Sequence, residues 1–383
     1  MDKLFPEVGV AQIIKYSEEL CGDKVLVEKT AEGTIVVLSD GLGSGVKANI
    51  LATLTTKIIT VMLKHGSPLE DVIDTIAQTL PVCKQRNIAY STFHIVNIAK
   101  SGETYVVEFD SPPTLLYRNG KVIRFPVQEK EISGKKLNIG RLELVYDDSI
   151  IMVSDGVLHA GIGGLLKLGW GLSGLKEYVQ ENYRFEKTSG FFSREIVNCC
   201  EGYYLGKAGD DTTAVVVKMR QTKKLVLFTG PPTDQKLDQI LVKKLMTFDG
   251  KKIVAGGTTA NIVSRYLGKP IKVELSNLNS EVPPIGYIEG IDLVTEGVLT
   301  INSAVERLRS GIKQGKKNFS DGADKLMHLL LEADDILVLA GKAVNPAHQN
   351  PNFPIQINLK MQVVEKLINA LREAGKSVKV EWF

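Results

Sequence analysis

Short acidic clusters stand at the ends of three apolar, strand-like runs in this chain. Asp40 and Asp155 each follow such a run, and Asp210 and Asp211 precede a third. Divalent cations such as Mg²⁺ prefer carboxylate and carbonyl oxygens, and strand ends can bring several of these oxygens to one point. A glycine directly follows both Asp40 and Asp155, and glycine lets a backbone carbonyl approach a metal closely. The pattern therefore predicts a site for Mg²⁺ or Mn²⁺.

Composition limits the class of protein. A chain of 383 residues exceeds one ordinary core and predicts two domains or one large one. Its hydrophobic content of 44% and charged content of 24% are typical of a globular protein, and a net charge of +3 gives no reason to expect nucleic acid or an anionic membrane as partner. The four cysteines lack paired spacing, which argues against zinc and against a disulfide scaffold. The first residues lack the basic and apolar segments of a signal peptide, so we expect a cytoplasmic protein.

The first part of the chain predicts helices inserted among antiparallel strands. Apolar residues recur with helical period over 46–65, and Ser67 with Glu70 forms a capping box for a second helix. Asn119-Gly120 is a hairpin signal between two short strands, and hairpins require antiparallel pairing. The apolar stretch 156–175 contains His159, Lys167 and several glycines, which favours a loop and a helix over a membrane span. We expect an α+β fold here.

The pattern changes near Gln221. From there strands, turns and helices alternate along the chain, which is typical of a mainly parallel sheet covered on both faces. We therefore place a domain boundary at 219–224, with an α+β domain over 1–221 and a smaller α/β domain over 222–383.

The ordered motifs of the first domain resemble a known family. The motifs are Gly22-Asp23, Ser39-Asp40-Gly41-Leu42-Gly43-Ser44-Gly45, Ser111-Pro112-Pro113-Thr114-Leu115-Leu116, Ser154-Asp155-Gly156-Val157 and Gly209-Asp210-Asp211-Thr212-Thr213. Their order and rough spacing resemble the sporulation stage II protein E (SpoIIE) branch of the PPM, or type 2C-like, serine/threonine phosphatases. Each motif alone is weak, because Asp-Gly is a common turn. The ordered set is specific, and it covers about the first 220 residues.

The resemblance implies an α-β-β-α sandwich of two antiparallel sheets with two metal ions, Mn²⁺ or Mg²⁺, at one end. By position, Asp40 would bridge both ions, the Gly41 carbonyl would bind one, and Asp155 and Asp210 would complete the centre. Asp23 would act nearby, partly through water. The neighbour of Asp210 is Asp211, where many relatives carry Asn, so the resemblance gives it a supporting role.

The resemblance also implies a reaction and a partner. Metal-activated water would hydrolyse phosphoserine or phosphothreonine on a regulatory protein, such as an anti-sigma-factor antagonist, without a covalent enzyme intermediate. The alternative is a catalytically silent protein that keeps the phosphatase fold for interaction or ligand sensing. The sequence leaves the oligomeric state open, including a homodimer.

The second domain contains one candidate anion site, at Gly256, Gly257, Thr258 and Thr259. Glycines free the backbone, and amides at a helix N-terminus attract phosphate or carboxylate. An ordinary strand-to-helix turn with threonine capping is the competing interpretation, and the sequence favours it slightly. A dinucleotide loop at 41–45 is disfavoured because an aspartate precedes a GxGxG pattern. His94 and His159 are expected to be packed or surface residues, although His159 could approach the metals.

Overall fold

A computed structural model describes residues 3–30, 32–79, 82–83, 88–89, 91–273, 284–310, 321–343 and 355–383. The chain forms two compact units, Met1–Gln221 and Thr222–Phe383.

The strands of the first unit form two antiparallel sheets and a short hairpin. They are β1 (Leu4–Ile13), β2 (Asp23–Lys29), β3 (Gly33–Gly41), β4 (Val82–Cys83), β5 (Ile88–Ala89), β6 (Ser91–Ala99), β7 (Glu103–Phe109), β8 (Leu115–Arg118), β9 (Lys121–Arg124), β10 (Gln128–Ile132), β11 (Lys135–Glu143), β12 (Ser149–Val153) and β13 (Thr212–Gln221). One sheet has the order β1-β13-β12-β8-β9 and the other β10-β11-β7-β6-β3-β2; β4 pairs with β5. The helices are α1 (Gly45–Lys64), α2 (Leu69–Thr79), α3 (Asp155–His159), α4 (Gly171–Asn182) and α5 (Ser189–Tyr204).

Alternation along β3 shows how the layers stack. Val36 and Leu38 pack with β12 and β13 residues of the other sheet, whereas Ile35 and Val37 pack with residues of α1 and α2. The opposite face of the five-stranded sheet packs on α3, α4 and α5. Because side chains of a strand point alternately to its two faces, this burial gives four layers in the order helix, sheet, sheet, helix. The α+β sandwich expected from the sequence is confirmed.

Local signals in the sequence gave several elements correctly. Asn119 and Gly120 both have positive φ, 52° and 75°, as a type I′ turn requires, and join β8 to β9. The stretch after Asp155 folds as α3, a loop and α4, as expected. The strand β1 was not expected; it pairs with β13 over its full length, from Leu4↔Gln221 to Ile13↔Thr212.

The second unit contains one seven-stranded sheet. Its strands are β14 (Lys224–Thr229), β15 (Lys251–Ala255), β16 (Lys272–Val273), β17 (Gly286–Tyr287), β18 (Leu293–Thr295), β19 (Asp335–Ala340) and β20 (Ser377–Trp382), in the order β16-β17-β18-β15-β14-β19-β20. Its helices are α6 (Asp238–Thr247), α7 (Gly257–Leu267), α8 (Val298–Arg309), α9 (Gly322–Glu332) and α10 (Ile355–Glu373). The five strands from β18 to β20 are parallel, and β17 pairs antiparallel with both β18 and the edge strand β16. Helices α6 and α7 cover one face and α8, α9 and α10 the other, which confirms the mainly parallel α/β arrangement.

Among the described helices, α1 alone is long and apolar enough to cross a membrane, judged by length and composition. A core helix of a globular protein passes the same test, and buried residues such as Ala48, Ala52 and Ile59 pack α1 on the sheet. This helix is therefore weak grounds for a membrane span.

Candidate metal centre

The first acidic pair comes from neighbouring strands of the six-stranded sheet. Asp23 at the start of β2 lies directly opposite Asp40 near the end of β3. In an antiparallel pair, residues directly opposite each other have Cβ atoms about 4.5–5.5 Å apart, so this register holds the two carboxyl groups together. Gly41 follows, and its amide donates to the Gly22 carbonyl at 3.2 Å. The β2–β3 register thus places one half of the site.

The second acidic pair comes from the other sheet. Asp155 opens α3 two residues after the end of β12, and Asp210 lies two residues before the start of β13. Together with His159, these residues offer ligand atoms that all lie within 4.8 Å of one another. His159 Nδ1 is 3.6 Å from Asp155 Oδ2, and its side chain is half exposed. The predicted ligands Asp155 and Asp210 are therefore adjacent, and His159 lies beside them.

Electrostatic coupling shows that the two halves meet. Burial, and then the nearby charges of Asp23, Asp155 and Asp210, raise the pKa of Asp40 to about 9. The Asp155 side chain is also a hydrogen-bond neighbour of Asp40. Like charges this close disfavour ionisation, so four carboxyl groups converge with mutual repulsion unless a cation joins them. A divalent ion is the group that this cluster fits.

Asp23 is the most deeply buried of these acids, with 2% of its surface exposed. Its Oδ2 accepts a 2.6 Å hydrogen bond from the Thr213 hydroxyl, while its Oδ1 has no partner among the described residues. Burial is the main cause that raises the pKa of Asp23 to about 7. A buried carboxylate oxygen without a donor is costly. This orphaned oxygen is a second observation that fits a bound cation or its water.

Asp211 has a different setting from Asp210. It is 4% exposed, and its Oδ1 accepts from the Lys15 backbone amide at 3.0 Å. Its Oδ2 has no partner among the described residues and lies close to Gly22, where an added Cβ would be 2.8 Å away. Asp211 therefore holds the segment that leads from β1 to Asp23, and in this way it can help to position Asp23.

Two glycines are required by close backbone contacts. A Cβ on Gly41 would collide with the Ala48 carbonyl of α1, and a Cβ on Gly156 would collide with the Asp211 carbonyl. Both glycines directly follow acids of the cluster. The glycines in these motifs thus serve packing as well as any carbonyl ligation.

Supporting residues from β1 and β13 were missed in the sequence. Thr213 binds Asp23 from 190 positions away, and Gln12 donates to the Thr213 hydroxyl at 3.0 Å. Lys15 is the cation whose charge opposes the upward shift in the pKa of Asp210, which burial and Asp155 cause. The acidic pattern carried no signal for these contacts, because Gln12 and Lys15 lie in and just after the unforeseen strand β1, and Thr213 is 190 positions from Asp23.

The remaining sequence motifs have structural surroundings. His94 is buried, as expected, and its Nε2 is 2.6 Å from the Pro112 carbonyl. The Thr114 amide donates to buried Glu108 at 2.7 Å. The segment around Pro112 therefore forms the crossing from β7 in one sheet to β8 in the other. In the second unit, Gly256, Gly257, Thr258 and Thr259 lie at the junction of β15 and α7.

The first unit is similar to known phosphatase proteins in sequence and in fold. A family model described as stage II sporulation protein E (SpoIIE) matches residues 30–220, which include Asp40, Asp155 and Asp210, while Asp23 lies just before them. The structure of the PP2C phosphatase domain with a fragment of the regulatory domain of the cell-fate determinant SpoIIE from Bacillus subtilis is 20% identical, with a TM-score of 0.49, and the match covers 58% of this chain and 66% of that one. RsbX in complex with magnesium is 18% identical, with a TM-score of 0.40, and the match covers 57% of this chain and 100% of that one. No curated protein sequence matches.

The family match rests on the sequence of the first unit. It covers the strands from β3 to β13, the five helices α1 to α5 and three of the four converging acids, whereas β1 and β2 precede it. Through this unit, the chain belongs to the SpoIIE family, a branch of the PPM serine/threonine phosphatases.

Proposed function

We propose that the protein is a metal-dependent phosphatase that hydrolyses phosphoserine or phosphothreonine on a regulatory protein. The observation that carries the proposal is the convergence of Asp23, Asp40, Asp155 and Asp210 at one end of the two sheets. Membership of the SpoIIE family supports the same reaction class. The enzyme would act in the cytoplasm.

Asp40, the Gly41 carbonyl, Asp155 and Asp210 would hold two ions, Mn²⁺ or Mg²⁺, and Asp23 would contribute partly through water. When bound, such ions lower the pKa of water and neutralise phosphate charge. Asp40 must lose its proton to act as a ligand, so binding would favour the ionised form that repulsion disfavours in the free protein. Thr213 would keep Asp23 oriented by its 2.6 Å hydrogen bond.

Phosphate recognition requires a positive group, and Lys15 is the candidate. It follows β1, its backbone is held by Asp211, and its charge acts on Asp210. A lysine ammonium binds phosphate as a point charge. We propose that Lys15 holds the substrate phosphate while water attacks phosphorus and the serine or threonine oxygen leaves with a proton from solvent.

A protein substrate also requires a contact surface. The loop after α3 carries three apolar side chains that are strongly exposed, Ile162, Leu165 and Leu168, at 53%, 59% and 89%. The loop is closed at its base by the Trp170 amide, which donates to the Ala160 carbonyl at 3.0 Å. Because the loop begins directly after His159, it would contact a substrate that reaches the acids. A partner of the anti-sigma-factor-antagonist class would suit this site.

The test is hydrolysis by the full chain of p-nitrophenyl phosphate and of a phosphoserine protein, each with Mn²⁺, with Mg²⁺ and with chelator. We expect both substrates to be hydrolysed only with metal. Binding of Mn²⁺ without hydrolysis of either substrate would instead support the silent interaction protein. In that case the second unit would serve sensing or regulation in a protein whose first unit is not catalytic.

A further inference from the structure

The second unit has its own convergence of strand ends. The parallel strands β18, β15, β14 and β19 are neighbours, and a glycine follows within two residues of the end of each: Gly297, Gly256, Gly230 and Gly341. In open α/β sheets, ligands bind outside the carboxyl ends of the strands. This edge therefore offers a place where backbone atoms can approach a small molecule without obstruction by side chains.

Two helices begin together at this edge. Helix α7 starts directly after Gly256, which has φ +118°, and α8 starts directly after Gly297. The two glycines touch, since a Cβ on Gly297 would lie 3.3 Å from Gly256 Cα. No side chain caps the first residues of α7. The first amides of a helix have no partner within the helix and carry partial positive charge, so two such ends side by side attract an anion.

Buried hydroxyl groups at the same junction have no partner. Thr259 and Thr300 are the third residues of α7 and α8, both are fully buried, and neither hydroxyl oxygen has a hydrogen-bond partner among the described residues. Thr295, the last residue of β18, is 4% exposed and equally unpartnered. The Thr259 oxygen lies at the glycine turn itself, 3.3 Å from where a Gly256 Cβ would be. A buried hydroxyl without a partner is costly, which points to a missing acceptor.

The entrance is open and its charge is mixed. Gly257 and Thr258 are exposed, and a Cβ on Gly257 would meet no atom within 4 Å. The Lys360 ammonium lies farther along the edge and donates to the Gly341 carbonyl at 3.0 Å. The Glu296 carboxylate accepts from the Leu299 amide at 3.2 Å and so already occupies part of the α8 N-terminus. The uncapped end of α7 is thus the better position for an anion from solution.

We propose that the junction of β15 and α7 binds the phosphate group of a small molecule, through the amides of Gly257, Thr258 and Thr259 and the hydroxyl of Thr259. The ligand would lie along the strand edge toward Gly230 and Lys360. This site belongs to the second unit, whereas the metal centre belongs to the first. Its ligand is held as an effector and not hydrolysed, because the described residues of the second unit contain no acidic metal group of the kind found in the first.

Amide resonances test the proposal directly. In full-length protein kept free of metal by chelator, inorganic phosphate has no metal centre to bind, and it should shift the amide signals of Gly257, Thr258 and Thr259 saturably. Chloride at the same ionic strength is the control. Signals that do not move, or that move equally with chloride, would overturn the proposal.

Charge at the entrance gives a matched pair of variants. Gly257→Glu places a carboxylate on the α7 N-terminus, and we expect it to weaken phosphate binding at least about tenfold by competition. Gly257→Gln has nearly the same volume without the charge and should retain binding within about threefold. Equal binding by both variants would overturn the assignment of the amides as the phosphate site.

The hydroxyl is tested by Thr259→Val, which keeps the shape of the side chain. Loss of a hydrogen bond to a charged ligand should weaken phosphate binding about tenfold without lowering Tm in the absence of phosphate. The control is Thr60→Val, because Thr60 in α1 is also buried with an unpartnered hydroxyl but lies in the other unit. Unchanged binding by Thr259→Val would exclude that hydroxyl, and a fall in Tm would show a structural role instead.

Discussion

The two units gather functional groups at strand ends in opposite ways. The first unit brings together carboxylates from antiparallel strands of two different sheets, so its site depends on register, as in Asp23 opposite Asp40. The second brings together glycines and helix N-termini from parallel strands of one sheet, whose carboxyl ends share an edge without further specification. We therefore expect the site of the first unit to bind cations and the site of the second unit to bind anions. A site between antiparallel strands thus depends on the register of residues far apart in the chain. A site at the carboxyl ends of parallel strands follows from the topology of the sheet.

The largest effects should come from the carboxylates of the first unit. Asp40→Asn, Asp155→Asn and Asp210→Asn each remove a charged ligand at constant volume and should lower Mn²⁺-dependent hydrolysis of p-nitrophenyl phosphate at least about a hundredfold. Circular dichroism should show an intact fold. Asp249→Asn is the control, since Asp249 is 91% exposed in the second unit. Near-normal turnover by any of the three variants at saturating Mn²⁺ would refute the centre.

The next effect concerns the positive group beside the acids. Lys15→Met should raise KM for p-nitrophenyl phosphate by about tenfold, with a smaller change in kcat, because it removes a charged contact to the phosphate. Lys121→Met on exposed β9 should leave both constants unchanged. An unchanged KM for Lys15→Met would mean that another group grips the substrate.

A smaller effect is expected at Asp211, which supports the chain behind the site. In Asp211→Asn the side-chain oxygen can still accept from the Lys15 amide, so activity should fall less than tenfold, or about 1.4 kcal/mol in barrier. Steady-state kinetics at saturating Mn²⁺ decides this. An inactive Asp211→Asn beside an active Asp210→Asn would shift the ligand assignment by one residue.

Repulsion among the acids predicts a pH dependence of stability without metal. Burial and neighbouring aspartates raise the pKa of Asp40 from 3.8 to about 9, so the folded state keeps a proton that the unfolded state has released between these values. The stability that the protonated Asp40 contributes is fully present below its unfolded pKa of 3.8 and is lost as pH rises toward its folded pKa of about 9. In chelator, wild-type Tm should therefore fall more than that of Asp40→Asn between about pH 5 and about pH 9. If Tm fell equally with pH in the wild type and in Asp40→Asn, the proposed repulsion among the acids would be contradicted.

The smallest effect tests whether the units are independent. A fragment of residues 1–221 contains every proposed ligand and the whole of β13, so it should fold and hydrolyse p-nitrophenyl phosphate within about twofold of the full chain. A fragment that folds and binds Mn²⁺ but is inactive would show that the second unit takes part in the reaction.

Sequence reasoning reached the elements that carry strong local patterns. The helical period of α1 and the Asn119-Gly120 turn each specify their structure over a few residues. It did not reach β1, which contains Pro6 and Gly9, two residue types that are depleted in strands. Pro6 is tolerated because β1 is an edge strand, and Gly9 is required because a Cβ there would collide with the backbone of Ser189 and Gly190.

The candidate site was predictable in part for the same reason. The acids themselves stand at recognisable strand ends, and the ordered motifs identified the family. The partners of these acids could not be predicted in this way. The hydrogen bond from Thr213 to Asp23 joins residues 190 positions apart, and Lys15 reaches the site only because β1 pairs with β13. In the second unit the glycines were visible, whereas the unpartnered hydroxyls of Thr295 and Thr300 depend on burial that no local pattern specifies.

The pairing of β1 with β13 has a consequence for biosynthesis. The strand made first must wait for the strand made last in this unit, with some 200 residues of chain closing the loop between them. On the ribosome, Asp23 therefore lacks its Thr213 partner until residue 221 has left the exit tunnel. Until then the carboxyl groups of the two sheets are also not held together. Nascent chains should accordingly acquire metal late and in one step. Translational pauses beyond β13 would give the first unit time to fold before synthesis ends.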